Sequence, residues 1–157
     1  MRKRGRLPEF DYSVAGYYFI TICTKDKRKL LCDFDVGARS AHLSEVGKTV
    51  ERAIKQIGER YQAVEVNKYV IMPNHIHMIL VIQSSVEDNG RAMQTVRAPT
   101  ISTVVNQFKG FVTKQVGFSI WQKSFYDHVI RNEDDYLGIW RYIDDNPAKW
   151  AEDKYYV

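Results

Sequence analysis

The sequence is poor in cysteine and has no long apolar segment. Its two cysteines, Cys23 and Cys32, are too few for a disulfide framework, and neither lies in a spacing typical of zinc or redox motifs. The apolar stretch GYYFITIC is short and runs into a charged cluster at residues 25–29, so it predicts neither a signal peptide nor a membrane span. We therefore expect a protein of the reducing cytoplasm with no membrane partner.

The sequence also lacks a Gly-x4-Gly-Lys-Ser/Thr segment, so we expect no nucleoside triphosphate as a partner. It does have a moderate excess of positive charge, with 23 Lys and Arg residues against 19 Asp and Glu residues. This balance permits a polyanionic partner but does not prove one. With 157 residues, 45% of them hydrophobic, the chain suits one domain, residues 1–157, that has its own core.

The most informative stretch is YVIMPNHIHMILVI, residues 69–82. An apolar run meets Pro73-Asn74, a pair that favours a turn, and a second apolar run then begins, which predicts a β-hairpin. Residues two apart in a strand point to the same face, so His75 and His77 should project side by side. Two adjacent imidazoles can hold one metal ion, and the alternative is a pair of strand histidines without a ligand.

The remaining apolar periodicity predicts a simple order of elements. We expect a strand at 16–24, an amphipathic helix at 43–61, the hairpin at 63–72 and 75–83, a helix at 101–116, an extended segment at 120–130, and a third helix capped by Asn132. Residues 84–99 lack periodicity and predict a mobile loop. The order predicts an α+β, ferredoxin-like (split βαβ) antiparallel sheet, with two helices on one face and the histidines on the other.

The N-terminus, residues 1–15, forms a basic arm. It carries aromatic rings, among them Tyr12, and four cations: Arg2, Lys3, Arg4 and Arg6. Cations can contact phosphates and rings can stack on unpaired bases, so the arm is a candidate for binding single-stranded nucleic acid. A solubilising tail is the alternative.

The segment MPNHIHMIL resembles the His-hydrophobic-His strand of the single-tyrosine HUH (IS200-like) transposases, most of all their REP-associated tyrosine transposase branch. The resemblance extends to an N-terminal block, RGRLPEFDYSVAGYYFITICT, and to a C-terminal block, WQKSFYDHVIRNEDDYLGIWRYIDDNPAKW, in the same order. It implies the same ferredoxin-like fold, with a C-terminal helix that carries a nucleophilic tyrosine.

Tyr136 matches the nucleophile of this family in the block RNEDDYLGIW. The resemblance implies that Tyr136 attacks a DNA phosphodiester and forms a covalent phosphotyrosine, which keeps the bond available to a later hydroxyl. Periodicity by itself favours a core aromatic at this position, because Tyr136 shares a helical stripe with Ile139 and Ile143. Tyr126 and Tyr142 are the fallback nucleophiles.

The resemblance implies a divalent metal, Mg²⁺ or Mn²⁺, held by His75 and His77. Related transposases often place a Gln ligand four residues after the nucleophile, but Trp140 occupies that position here and cannot ligate. His128 is the first candidate for a third ligand and Asp127 the second, since a mixed site of imidazole and carboxylate suits these ions. The structural alternative for His128 is a hydrogen bond to a backbone carbonyl.

The expected substrate is single-stranded DNA, with hairpin-forming repeats, in the cytoplasm at the nucleoid. Arg91 and Arg97 join the basic arm as candidate DNA contacts. The resemblance leaves open a homodimer, in which Tyr136 would serve its own histidines or those of a partner. A function of another class is a non-catalytic module that binds single-stranded DNA or RNA hairpins through the same fold and needs no metal.

Overall fold

A four-stranded antiparallel sheet forms the centre of the computed structural model, which describes residues 16–33, 42–83, 86–87, 94–95, 99–152 and 155. Its strands are β1 (Gly16–Cys23), β2 (Val64–Ile71), β3 (His75–Ile82) and β4 (Tyr126–Ile130). They lie in the order β2-β3-β1-β4, and each neighbouring pair is antiparallel. This is the strand order of the split βαβ arrangement, so the expected ferredoxin-like fold is confirmed.

Two helices cover one face of this sheet, and a third lies against the other. Helices α1 (Glu45–Arg60) and α2 (Ile101–Val116) pack on each other and enclose the core with alternate residues of the central strands, among them Ile20, Ile76 and Met78. Helix α3 (Glu133–Asp145) lies on the opposite face, where the ring of Tyr142 contacts Phe19 and His77. The sheet therefore separates the main core from the face that carries the histidines.

The ends of the helices follow from side-chain caps. The Ser44 hydroxyl accepts a hydrogen bond from the Gly47 amide at the start of α1, and the Asn132 side chain accepts one from the Asp135 amide at the start of α3. Helix α2 ends at Gly117, whose φ of 93° lies in the left-handed region that glycine adopts without strain. None of the helices in the described part of the chain is long and apolar enough to cross a membrane.

The structure differs from the expected elements in two places. The extended segment expected at 120–130 contains the short strand Tyr126–Ile130 and an isolated bridge between Trp121 and Thr24, and between them the Lys109 ammonium donates to the carbonyls of Gln122 and Ser124. The expected loop at 84–99 contains a short antiparallel pair, Val86–Glu87 with Gln94–Thr95. A similar short pair joins Cys32–Asp33 to His42–Leu43.

Replacing Gly47 with alanine should destabilise this fold. A Cβ atom at Gly47 would overlap the carbonyl oxygen of Leu31, which packs against the first turn of α1. Because backbone has to shift to relieve the overlap, we expect a loss of roughly 1–3 kcal/mol in the free energy of unfolding, measured by urea denaturation. Gly110→Ala in α2 is the control, since a Cβ there meets nothing within 4 Å and alanine should stabilise the helix by up to about 1 kcal/mol. Equal stability changes in the two variants would contradict this explanation.

Candidate active site

The β2–β3 hairpin brings two histidines together on one face of the sheet. The turn is closed by a hydrogen bond of 2.8 Å from the Met72 amide to the His75 carbonyl, and β3 begins at His75. His75 and His77 then point to the same face, and their Nε2 atoms lie 3.1 Å apart. Both side chains are buried, with exposed fractions of 0% and 1%.

Each imidazole is also held at its other ring nitrogen. His75 Nδ1 lies 2.8 Å from the side-chain oxygen of Asn74, the turn residue directly before it. His77 Nδ1 lies 2.8 Å from the hydroxyl oxygen of Thr21, which β1 presents beside it. Metal-ligating histidines in proteins are usually oriented by an oxygen atom at the nitrogen that does not bind the metal. The geometry of this pair therefore fits a metal site that uses both Nε2 atoms.

Aromatic rings surround the histidine pair. The centroid of His75 lies 4.3 Å from that of Tyr155 and 6.0 Å from that of Trp150, in the C-terminal part of the chain. The centroid of His77 lies 5.3 Å from that of Phe19 and 5.2 Å from that of Tyr142. These rings pack around both imidazoles and restrict their orientation.

His128 lines a cavity of about 520 Å³ together with His77. Its Nε2 atom lies 2.8 Å from a carboxylate oxygen of Asp135, at the start of α3, so its partner is a carboxylate and not the backbone carbonyl considered from the sequence. No group of three His, Cys, Asp or Glu side chains within the described ranges is close enough to hold a metal ion. His128 as a third ligand thus stays a prediction.

Asp127, the second candidate for that ligand, lies on the wrong face. It pairs with Ile20 across β1 and β4, whereas His77 pairs with Thr21, the next residue of β1. Residues opposite each other in antiparallel strands share a face, and successive residues alternate between faces. The Asp127 carboxylate therefore points towards α1 and α2, away from His77.

Tyr136 is not in the cavity that His77 lines. Its hydroxyl donates to the side-chain oxygen of Asn67 at 2.6 Å, and its ring meets the edge of Tyr17 at a centroid distance of 5.4 Å. Tyr136 lines a separate cavity of about 320 Å³. Tyr17, which Tyr136 contacts, precedes Thr21, which His77 contacts, by four positions in β1, or about 13 Å along an extended strand.

The two fallback tyrosines lie nearer to the histidines. Tyr126 and Tyr142 both line the cavity of His77, as does Lys149, which supplies a positive charge there. Trp140 does not line this cavity, and the ammonium of Lys68 lies 3.5 Å from its ring centroid. The remaining predicted contacts lie outside the described residues: Arg2, Lys3, Arg4, Arg6, Tyr12, Arg91 and Arg97.

Sequence reasoning missed Thr21 and Asn74 as parts of the site. The sequence indicates only a turn at Asn74, although its position beside His75 could have suggested contact with that imidazole. Thr21 carries no such signal, because its contact with His77, 56 positions later in the chain, depends on the register between β1 and β3.

Comparisons with known proteins find consistent similarities. A family model described as Transposase IS200 like matches residues 13–146, which include His75, His77 and Tyr136. An uncharacterized protein of Haemophilus influenzae is 34% identical over 170 residues, covering 99% of this chain and 93% of the relative. The REP-associated tyrosine transposase of Escherichia coli K12 is 27% identical over 139 residues, covering 88% of this chain and 70% of the relative. A solved structure of a REP-associated tyrosine transposase bound to a REP hairpin matches with a TM-score of 0.67 at 24% identity, covering 98% of this chain and 77% of that one.

Proposed function

Because the chain belongs to the IS200-like transposase family, a family of DNA-processing enzymes, we propose that it is a single-strand DNA endonuclease and strand transferase that requires a divalent metal. The observation that carries this proposal is the buried pair of histidines, whose Nε2 atoms lie 3.1 Å apart. A module that only bound nucleic acid would have no use for this pair, since binding needs exposed rings and cations.

His75 and His77 would hold Mg²⁺ or Mn²⁺ through their Nε2 atoms, and His128 is the proposed third ligand. When bound, such an ion supplies positive charge at the phosphate oxygens and polarises the phosphorus atom for in-line attack. Thr21 and Asn74 keep the two imidazoles oriented, because each holds one Nδ1 atom at 2.8 Å. Lys149, at the wall of the same cavity, adds a positive charge that suits a phosphate.

Tyr136 is the proposed nucleophile. Its phenolic oxygen would lose its proton to water and form a bond to phosphorus, while the bond from phosphorus to one deoxyribose oxygen breaks. That oxygen takes up a proton from water and leaves as the terminal hydroxyl of the released strand, and the other product is a covalent phosphotyrosine. For this step the hydroxyl has to leave Asn67, which it contacts at 2.6 Å. Either α3 moves towards the histidine pair, or Tyr136 serves the histidines of a second copy in a homodimer.

The proposed substrate is single-stranded DNA near a hairpin. The support is the similarity to a transposase that was solved in complex with a REP hairpin. We assign the phosphate and base contacts to the basic arm with Tyr12, and to Arg91 and Arg97.

Removing the basic arm should weaken DNA binding but leave the chemistry largely intact. On single-stranded DNA, each phosphate that the protein no longer neutralises should reduce the slope of log affinity against log salt by about 0.7. A chain without residues 1–6 should therefore bind more weakly and with a flatter salt dependence, measured by fluorescence anisotropy at several salt concentrations. Adduct formation at saturating DNA should change far less, because phosphate contacts of this kind act equally on ground and transition states. Unchanged affinity and salt slope would mean that the arm is a solubilising tail.

The direct test of the proposed function is a covalent adduct. The protein is incubated with labelled single-stranded DNA that forms a hairpin and carries the sequences flanking the gene, with Mn²⁺ or Mg²⁺, and the products are separated on a denaturing gel. We expect a labelled band at the mass of the protein plus the cleaved strand, and no such band with a chelator. DNA binding without an adduct on every flanking sequence would favour the non-catalytic module.

A further inference from the structure

The side-chain amide of Asn74 has only one orientation that its contacts allow. Its Nδ2 atom lies 2.7 Å from the carbonyl oxygen of Tyr155 and 3.5 Å from that of Lys27. Carbonyl oxygens accept and cannot donate, so the amide nitrogen has to face them and the amide oxygen has to face His75 Nδ1. Because this oxygen is also an acceptor, His75 Nδ1 carries the hydrogen. In a neutral imidazole, His75 Nε2 is then an acceptor.

This assignment determines the hydrogen positions on His77. Its Nε2 atom lies 3.1 Å from His75 Nε2, and two acceptor nitrogens at that distance would repel each other. His77 Nε2 therefore donates to His75 Nε2, and His77 Nδ1 accepts. The hydroxyl of Thr21 lies 2.8 Å from this Nδ1 atom and has to be the donor. The four side chains form one directed series, in which Thr21 donates to His77, His77 to His75, and His75 to Asn74.

We propose that Thr21 is a positioning residue that allows His77 to change tautomer when a metal ion binds. The inference rests on the proposed function, because it assumes that both Nε2 atoms ligate the ion. Ligation requires a lone pair on His77 Nε2, where the metal-free protein holds a hydrogen. The Nε2–H bond breaks, an Nδ1–H bond forms through exchange with water, and no net proton is released.

A threonine hydroxyl suits this exchange because it can both donate and accept. In the metal-free state the Thr21 hydroxyl donates to His77 Nδ1, and in the metal-bound state it rotates and accepts from Nδ1–H. The side chain is 2% exposed, so water cannot readily replace it. Asn74 differs, since its amide oxygen only accepts, and His75 keeps the same tautomer in both states. The two histidines of one motif thus have different roles in metal binding.

The first test uses nuclear magnetic resonance on the metal-free protein with ¹⁵N-labelled histidine. Long-range ¹H–¹⁵N correlations distinguish the tautomers, and we expect His75 as the Nδ1–H form and His77 as the Nε2–H form. Addition of Zn²⁺, a diamagnetic probe that imidazoles bind well, should convert His77 to the Nδ1–H form and leave His75 unchanged. Finding the same tautomer for both histidines without metal would overturn the proposal.

The second test removes the hydroxyl. Thr21→Val, of nearly equal volume, should weaken Mn²⁺ binding by about 10- to 100-fold in calorimetry, because His77 Nδ1–H would be buried without its acceptor. Thr21→Ser should retain affinity near that of the native protein, and Thr49→Val, at a half-buried position of α1, is the control for the same substitution away from the histidines. Unchanged Mn²⁺ affinity in Thr21→Val would contradict the proposal. If that variant does not fold, the tautomers measured in the native protein still test the proposal.

These tests are independent of DNA cleavage. If the protein shows the two tautomers and their exchange but forms no adduct on any hairpin, the proposed role of Thr21 stands and the proposed transposase activity is refuted. If the protein forms the adduct while both histidines have the same tautomer, the proposed role of Thr21 is refuted and the proposed activity stands.

Discussion

Tyr136→Phe should abolish the covalent protein–DNA adduct, with a loss of about 10⁴-fold or more in its rate of formation. The substitution removes one atom, the phenolic oxygen that would bond to phosphorus, and keeps the ring that packs against Tyr17. The measurement is the time course of adduct formation on a hairpin substrate with Mn²⁺. DNA affinity should change little, because the oxygen is proposed to act on the reacting phosphate and not in holding the strand.

The controls for this prediction are the two tyrosines in the cavity of His77. Tyr126→Phe and Tyr142→Phe remove the same atom from the same residue type, and both should still form the adduct. Tyr136→Phe also removes one hydrogen bond, to Asn67, which should cost no more than about 1 kcal/mol of stability at a partly exposed site. An adduct that persists in Tyr136→Phe and disappears in Tyr142→Phe would assign the nucleophile to Tyr142.

The local parts of the fold were predictable from the sequence. The histidine pair follows from strand alternation across three residues, and the turn before it follows from Pro73-Asn74. The bounds of α2, Ile101–Val116, agree with the expected helix, since periodic apolar residues and a terminating glycine are local signals. One strand and one helix precede the hairpin, and one helix and one strand follow it. Few sheet topologies are compatible with this order, so the ferredoxin-like fold could be inferred as well.

The non-local parts could not be predicted in this way. Thr21 contacts His77 because of the register between β1 and β3, and Lys109 is buried because the segment before β4 passes over α2. Asn67 binds Tyr136 at an irregularity of β2, where the register shifts between Val66 and Lys68. A bulge of this kind changes which side chains reach a neighbouring helix, and alternation along the strand does not reveal it.

The position of Tyr136 has a consequence for the regulation of the reaction. A nucleophile whose hydroxyl is bound to Asn67, outside the cavity that His77 lines, is separated from the proposed metal site. The proposed cleavage then requires either a movement of α3, whose rate per protein molecule does not depend on protein concentration, or a second copy, whose contribution rises with that concentration. The rate of adduct formation should therefore be compared at several protein concentrations with DNA in excess.

Replacing both histidines, as His75→Gln/His77→Gln, should abolish the adduct and leave most of the DNA affinity. Glutamine retains a polar side chain of similar reach, so the buried site loses less packing than it would with alanine, while a neutral amide is a much weaker ligand than imidazole for Mn²⁺. The contacts proposed to hold the strand are the basic arm, Arg91 and Arg97, none of which belongs to this motif. The measurements are Mn²⁺ binding by calorimetry, DNA affinity by anisotropy, and adduct formation at saturating DNA.

The outcome of this double substitution is opposite to that of the arm deletion, which should reduce affinity and spare chemistry. His42→Gln is the matched control, because His42 is an exposed histidine outside the four-stranded sheet and its replacement should affect neither property. The melting temperature of the double variant establishes that it is folded, since both native side chains are buried. An adduct that still forms at the native rate would show that the histidine pair does not hold the catalytic metal, because a pair of amides would bind the ion far more weakly than a pair of imidazoles.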